Sequence, residues 1–136
     1  MTHLRRNDPD GVAPPAAGGY AHVVGVDLGD RRMLFVSGQL PLDRDGSLVG
    51  AGDMAAQTRQ VFENLRVILE SEGATFADVV KMGTYVTSLD DLAAVREVRC
   101  KYLGTEPPAS TLVQVRALVL PDAMIEIDMI AALHAR

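Results

Sequence analysis

The chain has 136 residues, 48% of them hydrophobic, and 13 basic against 18 acidic side chains give a net charge of −5. That length suits one domain over residues 1–136, burying about two thirds of its unfolded surface. The acidic balance excludes a field that gathers phosphate backbones, so nucleic acid is not an expected partner.

Residues 1–19, ending in GVAPPAAGG, are rich in Pro, Gly and Ala and read as an extended lead-in, with structure starting at Tyr20. The opening MTHLRRNDPDG lacks the apolar stretch of a signal peptide, and no run approaches the ~18 to 20 apolar residues of a membrane span. The expected compartment is the cytoplasm, with no membrane partner. YAHVVGV and RMLFVSGQL are β-prone runs on either side of a turn at Gly29-Asp30, followed by the loop PLDRDGSLVGAG. From Met54, apolar-face positions fall at Thr58, Val61, Phe62, Leu65, Ile68 and Leu69, the spacing of a one-faced helix that Asp53 can cap and Gly73 can end. DVVKMGTYVT is a strand; Ser88 and Asp91 make a capping-box-like start for a second helix bearing Leu92, Val95, Tyr102 and Leu103, which Gly104 and Pro107 stop. Two long β-prone stretches, ASTLVQVRALVL and MIEIDMIAAL, flank the turn PDA.

The order ββαβαββ implies an α+β domain, a mixed sheet with two helices on one face. In the last strand Ile125, Ile127 and Met129 share one face, and Met124, Glu126, Asp128 and Ile130 the other. Leu112, Leu118 and Ile130 make that second face apolar in places, and another subunit is its simplest cover.

His3, His22 and His134 are scattered and show no metal-ligand spacing, so no metal is expected. Phosphate-cradling glycine motifs are missing. Cys100, the only cysteine, sits in a helical context as a packing or surface thiol. Ser37 in VSGQ is a strand-end hydroxyl at a tight turn. Glu126 and Asp128, with Cα atoms about 7 Å apart, can divide acid and base roles or simply face solvent.

The stretches GGYAHVVGVDLGDRRMLFVSGQLPLDRDGSLVG, QTRQVFENLRVILESEGATFADVVKMGTYVTSLDDLAAV and PPASTLVQVRALVLPDAMIEIDMIA resemble the Rid (reactive intermediate deaminase) family, also called L-PSP endoribonuclease-like, over about residues 13 to 133. The resemblance implies a chorismate-mutase-like fold and a homotrimer whose sheets form a barrel, with clefts between neighbouring subunits. It further implies cofactor-free hydrolysis of small enamines and imines to keto acids and ammonia. By position, the family's pocket tyrosine matches Tyr20, its turn serine and glycine match Ser37 and Gly38, and its water-positioning glutamate matches Glu126. Its carboxylate-binding arginine matches Ser110, so the chain resembles branches lacking that arginine. Arg96 replaces an asparagine of the second helix, Arg99 a tyrosine, and His22 a glutamine. Arg96, or a protonated His22, can then supply the missing positive charge, with Arg116 behind them on the strand face of Ser110 and Gln114; the other reading is that Arg96 and Arg99 form an exposed basic patch on the helix. The alternative reading is a non-catalytic metabolite-binding or chaperone-like trimer. RNA cleavage, which the older family name implies, is disfavoured by the acidic charge.

Overall fold

A computed structural model describes residues 3–135. In chain order they form β1 (Leu4–Asn7), β2 (Val23–Leu28), β3 (Arg31–Gln39), α1 (Met54–Ser71), β4 (Val79–Val86), α2 (Leu92–Leu103), β5 (Ala109–Gln114) and β6 (Ile125–His134). One mixed sheet runs β1-β2-β3-β6-β4-β5. Every pair is antiparallel except β4–β5, which are parallel and joined through α2. The expected ββαβαββ order is present, with one further strand before it.

That further strand corrects the start expected at Tyr20. β1 pairs with β2, and its Asn7 amide donates to Ser71 Oγ at 3.1 Å and to Glu72 Oε2 at 3.0 Å. Glu72 also holds Arg32, whose side chain is only 3% exposed, through a 2.7 Å contact to Oε1 and a 3.1 Å bond to its carbonyl. One acidic residue at the end of α1 thereby fastens both the edge strand and β3.

Asp53 caps α1 by accepting from the Ala56 N–H at 3.1 Å, and Gly73, at φ 80°, lets the chain turn away. The predicted face of α1 is buried throughout, each fully buried Leu, Ile or Phe side chain contributing about 1.5 to 3 kcal/mol. Phe62 stacks on Tyr102 of α2 with ring centroids 4.9 Å apart, and the Tyr102 hydroxyl donates to Glu63 Oε2 at 2.9 Å. The expected Ser88–Asp91 box does not form. Ser88 Oγ accepts from the Asp90 N–H at 3.1 Å, and Asp91 starts α2 without a side-chain cap. The Ser88 oxygen is used two residues on, inside the turn, so it cannot also reach the helix end.

The core lies between the helices and the sheet, where Leu34, Val36, Ile125, Ile127 and Met129 are buried. On β6 the buried and half-buried positions alternate as predicted. The opposite face is open, and on it Val24, Phe35 and Ile130 lie side by side, with Phe35 43% exposed. Two members of the expected patch fall elsewhere: Leu112 packs on the core, and Leu118 follows β5, which ends at Gln114. The chain leaves the sheet edge there to reach the turn that feeds β6, so propensity yields to topology.

Candidate functional site

β3 is irregular where it meets the open face. Val36 pairs with Met129 and Gln39 with Ile127, so an extra residue falls at Ser37-Gly38. Such a bulge bends the strand and re-aims its side chains. Glu126, the neighbour on β6, fills the space above Gly38: a Cβ added there would lie 2.6 Å from Oε2 and 2.8 Å from Cδ of Glu126. The glycine is required for room, not for its torsion angles. Ser37 donates its hydroxyl to the Ala21 carbonyl at 2.6 Å and its N–H to that of His22 at 2.9 Å. Its oxygen remains oriented as an acceptor.

Asp128 stands two residues along β6, on the same face as Glu126. Its Oδ1 accepts from the Gly83 N–H and its Oδ2 from the Tyr85 hydroxyl, each at 3.0 Å. Half-burial, and secondarily the negative charge of Asp128, pushes the Glu126 carboxyl above the usual range. The hydrogen bond to Asp128, reinforced by its charge, raises Tyr85. A carboxyl poised in this way can take up and return a proton, while its neighbour stays committed to fixed donors. Tyr85 is the site residue that sequence reasoning missed. Its place opposite Glu126 in the β4–β6 register was available in the alternation of Met82, Thr84 and Val86, which assigns Tyr85 to the other face.

Two amides of α1 secure the loops around this site. Gln57 donates to the Gly50 and Asp122 carbonyls at 3.1 and 3.0 Å and accepts from the Met124 N–H at 2.7 Å. Asn64 donates to the carbonyls of Leu40 and Leu42 at 3.1 and 2.9 Å. These residues of the stretch QTRQVFEN act on structure, fixing the exit from β3 and the entry to β6.

Tyr20 precedes β2, is 46% exposed, and meets His22 edge-on at 5.9 Å. Both line a small recess with Gly38 and Gln39. Tyr20, His22, Ser37, Gly38 and Glu126 therefore gather around the bulge. His22 has a partner at each ring nitrogen. Its ring Nε2 lies 2.6 Å from the Ala13 carbonyl, and Nδ1 lies 3.1 Å from the Gln39 amide nitrogen. The same amide nitrogen donates to the Ser37 carbonyl at 3.2 Å, which fixes its orientation. The His22 ring is thereby anchored between the loop at Ala13 and the end of β3.

Ser110 and Arg96 are not brought to Glu126 within one chain. β4 separates β5 from β6 in the sheet, and Ser110 lines a groove against α2 on the helix side. Arg96 is exposed on α2 and lines neither this groove nor the recess at Gly38. Arg116 lies beyond the end of β5, so the strand alternation expected to align it with Ser110 does not operate.

Residues 11–133 match the family model described as endoribonuclease L-PSP. The chain is 43% identical over 119 residues to protein DfrA of Myxococcus xanthus, covering 88% of each. It is 39% identical over 123 residues to the 3-aminoacrylate deaminase RutC of Acinetobacter baylyi, covering 90% of this chain and 93% of that protein. A solved structure from the conserved Rid protein family of Yersinia pestis superposes with a TM-score of 0.83 at 32% identity, covering 96% of this chain and 99% of that one. No described helix is long and apolar enough to cross a membrane.

Proposed function

This chain belongs to the endoribonuclease L-PSP, or Rid, family, and on that premise we propose that it is a cofactor-free hydrolase that deaminates a small enamine or imine. The observation that carries this reading is the Glu126 carboxyl, half-buried over the gap at Gly38, beside Ser37 and with its proton affinity raised. The relative named as a 3-aminoacrylate deaminase acts on a substrate of this class.

The reaction needs little from the protein. The carbon of a C=N bond is already electrophilic, so water adds to it once placed and relieved of a proton. Glu126 accepts that proton as the C–O bond forms and returns one to nitrogen. Glu126 then takes the proton of the new hydroxyl and passes it to the amino nitrogen as the C–N bond breaks, releasing ammonia and leaving a carbonyl. Tyr20 and Ser37 line the approach, and Tyr85 holds Asp128 beside the reacting carboxyl.

Assembly is part of the proposal. The substrate-binding contribution of Ser110 lies across the sheet from Glu126, so a neighbouring copy is needed to bring the two together. The apolar open face around Phe35 supports a homotrimer, and Phe35→Asp is expected to yield monomers by light scattering. The proposed compartment is the cytoplasm.

The test generates imino acids in situ and follows their decay with wild type and Glu126→Gln. Wild type is expected to accelerate decay and Glu126→Gln to lose that acceleration. The neutral Ser110 favours a second reading, a metabolite binder without turnover. In that case wild type binds keto acids but leaves imine decay at the uncatalysed rate.

A further inference from the structure

The groove beside Ser110 has its own chemistry. It encloses about 230 Å³ between the C-terminal end of α2, the turn through Gly104 to Pro108, and the start of β5. Leu103, Pro107 and Pro108 make its surface chiefly apolar, and the lining residues whose side chains carry polar groups are Ser110, Cys100 and Arg99. Arg99 is half-buried, and among the described residues it has no ion pair or side-chain hydrogen bond. The other buried or half-buried arginines differ: Arg32 is bound to Glu72, and Arg66 to Glu63 and Glu70. A partly desolvated cation against apolar walls, with no carboxylate to answer it, favours an anion from outside the chain.

We propose that Arg99 is the anion-recognition residue of this groove, with Ser110 as a neutral hydrogen-bonding partner, so that the groove takes a small carboxylate bearing an apolar body. The volume lies below the several hundred Å³ of drug-sized pockets and fits a metabolite of amino-acid size. A branched or aromatic 2-imino acid has this shape and charge. That substrate assignment rests on the hydrolase reading, whereas anion recognition by Arg99 does not. The positive charge expected from Arg96 or His22 is thus supplied one helical turn beyond Arg96, where the side chain reaches the groove.

The experiment titrates 4-methyl-2-oxopentanoate, a stable carbonyl counterpart of such an imine, and its uncharged methyl ester into wild type, Arg99→Ala and Arg99→Lys, with binding read by calorimetry. Arg99→Ala is expected to weaken the acid about 10-fold or more and to leave the ester within about twofold, with Arg99→Lys in between. Equal binding of the acid by wild type and Arg99→Ala, equal losses for acid and ester, or no binding of either ligand to wild type overturns the proposal. Binding is measured apart from turnover. Failure of imine hydrolysis with an intact Arg99 effect therefore removes only the hydrolase reading, and the reverse result removes only this one.

Discussion

Gly38→Ala isolates the geometry of the candidate site from the stability of the fold. The new methyl carbon would stand 2.6 Å from Glu126 Oε2 and 3.1 Å from its Cγ. The carboxyl group must then retreat by about 0.8 Å to reach ordinary contact. A reacting group misplaced by about 1 Å can lose on the order of 100-fold in rate, so kcat for imine hydrolysis should fall about 30- to 100-fold. Stability should hardly move. The obstructing atoms belong to a side chain that can rotate at a cost of about 0.5 to 1.5 kcal/mol, and the backbone at position 38 lies outside the left-handed region. Loss of glycine's freedom in the unfolded chain returns about 0.4 to 1 kcal/mol. The melting temperature should therefore shift by less than about 3 °C. Steady-state kinetics and thermal unfolding on one preparation decide the matter. Unchanged turnover would refute the positioning of Glu126 over Gly38, and a fall in Tm of about 10 °C would refute the claim that the side chain absorbs the clash.

Three other substitutions test the surrounding physics. The Glu126 carboxyl is raised in the folded state, so the wild type loses stability as pH climbs from the ordinary glutamate range through the raised value; Glu126→Gln lacks this loss, and its melting temperature should gain on that of wild type over the same climb. Glu72→Ala leaves the buried Arg32 with only its longer, 3.4 Å contact to Asp27 and should cost about 3 kcal/mol by urea titration, with faster amide exchange in β1, whose Asn7 loses the same partner. Thr84 is 1% exposed and its hydroxyl has no partner among the described residues, so Thr84→Val should be neutral or stabilise by about 1 kcal/mol in the same titration.

The sequence disclosed what periodicity and turn chemistry encode. The α1 face, its Asp53 cap, the Gly29-Asp30 turn and the alternation on β6 are all local patterns, the face and the alternation backed by burial and the cap and turn by backbone geometry. It did not disclose β1, because LRRN carries no apolar alternation and is held through pairing and through Asn7. It overextended β5, because RALVL has strand propensity that the path to β6 overrides. At the site, Glu126, Ser37 and Gly38 were legible through the family resemblance. The anchoring of the His22 ring was not, since it depends on Ala13 and Gln39, and neither was Arg99's place beside Ser110, which the α2–β5 turn creates.

The central position of β6 bears on how the molecule is made. β3 and β4 do not pair; each hydrogen-bonds to opposite edges of β6. During synthesis the β2–β3 hairpin and the β4–α2–β5 unit therefore emerge as two fragments with no shared ladder, each exposing a strand edge. They are joined only when residues 125–134 leave the ribosome, so closure of the sheet is a late event of long sequence separation. Until then the newly made chain is open to wrong pairing, and a protein stalled before Ile125 can join its halves only through the packing of α1, without a continuous sheet.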